Sequence, residues 1–95
     1  MPTPIKAASP SGVAVGTSST SLIAANPRRK YLSISNSGTA GIWLGLGQTA
    51  VVGTGIYVPP NGGFFETSDG NSLWQGSVTA IAASGSNQTG IVEGY

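Results

Sequence analysis

Glycine or proline interrupts this chain about every ten residues, and that spacing leaves no window for a helix of ordinary length. Fifteen glycines and six prolines are spread over 95 residues. In a helix interior a proline costs about 3 kcal/mol and a glycine about 1 kcal/mol relative to alanine, so repeated interruptions exclude helical packing. Val, Ile, Thr and Ser fill the gaps, and the β-branched ones among them suit a pleated, half-buried surface.

The segments between the interruptions read as strands. Val13–Val15 and Ser21–Ala25 are the first two candidates. Lys30–Asn36 puts Leu32 and Ile34 on one face and Ser33 and Ser35 on the other. By the same alternation Arg29 and Tyr31 face one way, while Arg28 and Lys30 continue the Leu32/Ile34 face beyond the edge of the core. Ile42–Leu46 follows a Ser/Gly turn, with Ile42, Leu44 and Leu46 together and Trp43 opposite them, so that second face must be partly covered. Asn26–Gly47 as a whole reads as a β-hairpin. Ala50–Val52, Ile56–Val58, Phe64–Thr67 and Leu73–Gly76 are shorter apolar pieces. Pro59-Pro60-Asn61-Gly62-Gly63 is the strongest turn signal, with Pro60 presetting φ and Asn61 or Gly62 taking the left-handed position. Val78–Ala83 is apolar on both faces, as in a central strand. Ser84–Asn87 reads as a hairpin turn into a last strand, Gln88–Glu93.

About eight short strands separated by turns predict an all-β domain, an antiparallel β-sandwich or jelly-roll-like barrel. Residues 1–12 hold Pro2, Pro4 and Pro10 and read as an extended N-terminal arm, with the sandwich over 13–95.

Charged residues make up 7% of the chain, against about 25% in an average soluble domain. Such a chain repels its neighbours weakly and tolerates life in an assembly. With no cysteine and no histidine, disulfides, thiolate chemistry and the commonest proton shuttle and metal ligand are all missing. No run approaches the roughly 18 apolar residues of a membrane span, and Met1–Lys6 lacks the apolar stretch of a signal peptide.

Five constellations bear on chemistry. Gly45-Leu46-Gly47-Gln48-Thr49-Ala50 matches the dinucleotide fingerprint, with Glu66 about twenty residues on, but Gly53, Gly55 and Pro59 forbid the helix whose N-terminus would hold a pyrophosphate. Glu66, Asp69 and Glu93 are the three carboxylates, and paired acid–base work would need two of them in one cleft. Asp69-Gly70-Asn71 opens like a calcium loop but lacks the later oxygen ligands. Arg28-Arg29-Lys30 is the one basic cluster, too small for nucleic acid and suited either to pairing with Glu66 or Glu93 or to docking on an acidic patch. Trp43, Tyr57, Phe64 and Trp74 fit core or subunit-interface positions, with Tyr31, Tyr57 and the two tryptophans also able to form a sugar-stacking platform. These readings predict no enzyme, no metal and no cofactor.

Asn26-Pro27-Arg28-Arg29-Lys30-Tyr31-Leu32-Ser33-Ile34-Ser35-Asn36, Gly53-Thr54-Gly55-Ile56-Tyr57-Val58-Pro59-Pro60-Asn61-Gly62-Gly63 and Ala80-Ile81-Ala82-Ala83-Ser84-Gly85 resemble small virion proteins of tailed bacteriophages, in the group of capsid decoration (cement) proteins and fibre or spike modules. The resemblance implies a non-enzymatic structural protein, made in the host cytoplasm, that sits on the outer surface of the capsid as a homotrimer and stabilises the major capsid protein. On that expectation Arg28, Arg29 and Lys30 form the capsid-contact edge, and Pro2, Pro4, Ile5 and Lys6 supply arm contacts. The alternative is a receptor- or glycan-binding module of a tail spike or fibre.

Overall fold

A computed structural model describes residues 7–68 and 73–95. Its elements are eight strands: β1 (Ala8–Val15), β2 (Thr20–Ile23), β3 (Tyr31–Asn36), β4 (Ile42–Leu46), β5 (Ile56–Val58), β6 (Gly63–Ser68), β7 (Val78–Ala82) and β8 (Asn87–Gly94). They form two antiparallel sheets, β1-β8-β3-β6 and β2-β7-β4-β5. The ladders run first strand to eighth, second to seventh, third to sixth and fourth to fifth. A four-step ribbon of that kind, folded over itself, is a jelly roll.

The sandwich closes over Val15, Leu22, Leu32, Ile34, Ile42, Leu44, Val58, Val78, Ala80, Ala82 and Ile91, all buried. Each large aliphatic side chain among them contributes about 1.5–3 kcal/mol by leaving water. The alternation seen in the sequence is the alternation of burial: Leu32, Ile34 and Asn36 point inward from β3, and Ile42 and Leu44 do so from β4. β7 is flanked by β2 and β4, and Ile81 on its outer face stands opposite Trp43, both half-buried.

Two expected hairpins are instead crossings between sheets. β3 is paired with β6 and β8, whereas β4 is paired with β5 and β7, so Asn26–Gly47 spans the sandwich rather than folding within one sheet. The same holds at residues 83–86, which connect β7 to β8 across the layers. Two buried asparagines hold these arches. Asn36 Oδ1 accepts from Gly38 N (3.0 Å) and its Nδ2 donates to Ala40 O (2.9 Å). Asn87 Oδ1 accepts from Ala40 N (2.9 Å), while its Nδ2 donates to Ser84 O (3.1 Å) and Val15 O (3.4 Å). A turn whose backbone groups bond to side chains needs no ladder to the strand before it. The Pro59–Gly62 turn behaves as expected, with Asn61 (φ 59) and Gly62 (φ 101) both left-handed.

The expected arm boundary at residue 12 falls inside β1, which begins at Ala8. Ala7 and Tyr95 exchange both backbone bonds at 2.8 Å. By alternation Ser9, Ser11 and Val13 turn their N–H groups toward β8, and Pro10 falls at a position facing away, where its missing N–H costs no ladder bond. Residues 1–6 lie outside the described residues. Ala50–Val52 and Leu73–Gly76 are connections and not strands. In the first, Ala50 is buried while Val51 and Val52 are exposed.

Candidate docking site at the charged end

Antiparallel winding gives the sandwich two ends. The turns at residues 16–19, 37–41, 59–62 and 83–86 sit at one of them and contain no charged residue. The connections at 24–30 and 73–77, together with Ala7 and Tyr95, meet at the other, joined by Asn26 N–Gln75 O (2.8 Å) and Lys30 N–Gly94 O (2.7 Å). Arg28, Arg29, Lys30 and Glu93 are all there.

The three basic residues have different roles. Arg29 is completely buried. Its Nε donates to Glu93 Oε2 (2.7 Å), Nη1 to Trp74 O (3.0 Å) and Gly76 O (2.9 Å), and Nη2 to Ala24 O (2.7 Å). One guanidinium therefore ties together both connections and β8, which a planar fork of five donors can do and an ammonium cannot. Gln75 reinforces the tie by donating to Pro27 O (2.8 Å) and Arg29 O (3.0 Å). Arg29 was expected at an exposed capsid-contact edge, but here its side chain is buried and each of its three nitrogens is bonded within the chain. The displacement has a local cause. Lys30 N bonds to Gly94 O while Tyr31 is the residue registered with Gly94, so two residues stand against one and the alternation slips by one position.

Arg28 is exposed and Lys30 half-buried. Both line an open cleft of about 580 Å³ with Ala7, Pro27, Arg29, Leu73, Gln75 and Tyr95. Because Glu93 is taken up by Arg29, the cleft presents two cations over apolar walls. No salt bridge engages either of them among the described residues. Pro2, Pro4, Ile5 and Lys6, the expected arm contacts, lie outside the described residues, as does Asp69-Gly70-Asn71.

The carboxylates do not converge. Glu93 is registered with inward-pointing Leu32, and Glu66 with outward-pointing Ser33, so the two side chains leave opposite faces of one sheet. Glu66 Oε2 instead accepts from the Tyr31 hydroxyl at 2.6 Å. That bond raises the Tyr31 pKa above its ordinary 10, with Ser33 opposing and partial burial adding to the rise. Below pH 10 the phenol is neutral whether the chain is folded or not, and the bond is lost as pH rises through the folded value. Glu66→Gln is expected to move the Tyr31 transition back toward pH 10, read as the phenolate absorbance difference between the two proteins.

Among the described residues no three His, Cys, Asp or Glu side chains come together as a metal site, and no helix is long and apolar enough to cross a membrane. The fingerprint-like Gly45–Ala50 run leaves β4 as a loop with Gly47 left-handed. Its polar groups bond internally, Gln48 O to Thr79 Oγ1 (2.6 Å) and Ala50 N to Ser19 Oγ (3.0 Å). No helix N-terminus follows to receive a phosphate.

The aromatics divide between core and surface. Trp74 packs against the core and donates Nε1–H to Ser77 O at 3.0 Å. Trp43 and Tyr57 are cross-strand neighbours on the outer face of the second sheet, ring centroids 4.7 Å apart and tilted by 50°. Tyr57 is 48% exposed and Phe64 67%. The outer face of the first sheet reads, row by row, Pro10–Val92–Ser33–Glu66 and Gly12–Gly90–Ser35–Phe64, with Glu66 its one charge in those rows. Sequence alternation located these faces but missed Asn36, Asn87 and Gln75, whose partners lie far away along the chain. The one signal was an asparagine at a strand terminus, where its side chain competes for turn backbone. No family model matches the chain, and no curated protein matches it.

Proposed function

We propose that the chain is a non-catalytic docking module of a tailed-bacteriophage virion, a capsid decoration protein that meets the major capsid protein with its charged end. The observation that carries the docking geometry is the segregation of charge. Arg28 and Lys30 flank an open, apolar-walled cleft at one end, while the opposite end carries no charge. A surface of that kind orients a partner: cations meet an acidic patch, and apolar walls give contact area. The virion setting comes from the resemblance of the Asn26–Asn36, Gly53–Gly63 and Ala80–Gly85 segments.

Binding of the purified protein to undecorated capsid shells tests this reading. The Arg28→Glu/Lys30→Glu variant is expected to bind at least about tenfold more weakly, with a shallower salt dependence than wild type. Unchanged binding by a folded double variant contradicts it. The Trp43–Tyr57 pair on the outer face, with Trp43 half-buried and Tyr57 exposed, favours a second reading, glycan binding on a spike or fibre. A glycan array that retains wild type but loses Trp43→Ala would move the assignment there.

A further inference from the structure

Among the described residues, three of the four sheet edges are blunted and one is open. β1 carries Pro10 at an outward position, β2 is four residues long with a register shift between Ser21 and Ile23, and β5 is three residues long and ends at Pro59. Short strands, bulges and prolines are how sheets guard their edges. β6 has none of these. It runs six residues in unbroken register with β3, from Asn36 opposite Gly63 to Tyr31 opposite Ser68, and contains neither proline nor lysine.

Alternation carried across the sheet fixes which β6 groups have no ladder partner among the described residues. Ala7 and Tyr95 exchange bonds, so odd-numbered β8 residues face β1 and even-numbered ones face β3. Ser37 N donates to Gln88 O, in the same phase. The even-numbered β3 residues Leu32, Ile34 and Asn36 then face β6, meeting Thr67, Phe65 and Gly63. Phe64, Glu66 and Ser68 are left with N–H and C=O turned outward, and Phe64 is the most exposed large hydrophobic side chain among the described residues.

We propose that β6 is a self-association edge, to which a second copy of this chain adds its own β6 antiparallel about a twofold axis, joining two four-stranded sheets into one. Opposed residues must share a face and turn their backbone groups toward each other, which leaves two main registers. One sets Glu66 against the second copy's Glu66, a like-charge pair. The other sets Phe64 against the second copy's Glu66 and Glu66 against its Phe64, each pair exchanging both backbone bonds and each Phe64 ring covered along the Glu66 stem. The second register is the favoured one. A chain with 7% charged residues offers little repulsion to oppose it. This association is twofold, unlike the threefold one implied by the resemblance, and it stands independently of the virion setting.

The absence of native cysteine makes the test direct. Wild type is expected to form dimers in sedimentation equilibrium at millimolar concentration, and Phe64→Lys to weaken them about tenfold or more. Mixed Phe64→Cys and Glu66→Cys proteins are expected to cross-link to each other in preference to Glu66→Cys alone, with Ala14→Cys on the β1 edge inert. Monomers throughout, trimers, dimers unaffected by Phe64→Lys, or a dominant Glu66→Cys homodimer cross-link would each overturn the proposal.

Discussion

Arg29→Ala is expected to destabilise the protein by about 3–5 kcal/mol, the cost of leaving a buried ion pair without one partner. Small domains are held together by about 5–15 kcal/mol, so this one change removes much of the margin. The reason lies in what is abandoned. Glu93 loses its cation, and the carbonyls of Ala24, Trp74 and Gly76 lose the donor that each was turned inward to meet. Arg29→Lys keeps the charge but lacks the planar fork, so it recovers a minor part of the loss. Arg28→Ala, one residue away and exposed, serves as the control and is expected to change stability by less than about 0.5 kcal/mol. Urea denaturation followed by tryptophan fluorescence reads all three, and Trp74 sits directly in the affected connection.

Asn87→Ala is the second large effect, at about 2–4 kcal/mol, and it strikes the opposite end. The substitution orphans Ala40 N and takes the side-chain donor away from Ser84 O and Val15 O, and a buried backbone group without a partner costs about 1–3 kcal/mol unless water reaches it. Gly38→Ala approaches the same contact from the other side, because a Cβ at Gly38 would overlap the Asn87 side chain and backbone. The two variants therefore share a signature in amide hydrogen exchange: Ala40 loses protection well before the Leu32–Ile34 segment does. Loss of protection spread evenly over the sandwich would contradict the assignment of Asn87 to the sheet crossing.

Both Arg29 and Asn87 matter through partners distant along the chain, which residue patterning does not encode. Alternation tells which face a side chain takes, so Leu32, Ile34, Ile42, Leu44 and the central character of β7 were all legible. It says nothing about which strand lies alongside. Asn26–Gly47 has the pattern of a hairpin, yet Asn36 and Asn87 bend its turn across the layers, and the link to Asn87 spans 47 residues from Ala40. Strict alternation carried past Lys30 puts Arg29 on the outward face with Tyr31. The doubled residue opposite Gly94 reverses the phase there, and an outward arginine becomes the tie of the charged end. Arg28 and Lys30 stay at the surface, lining a cleft. The open edge at β6 depends on the blunting of three other edges, which is a property of the assembled sheets.

On the proposed function, the charged end faces the partner and the uncharged end faces away. Electron cryomicroscopy of decorated capsids tests it most directly. The account predicts density for the sandwich standing end-on, with Arg28 and Lys30 against acidic side chains of the shell and the 37–41 and 83–86 turns pointing outward. Density with those uncharged turns against the shell, or with the protein absent from the capsid, would contradict it.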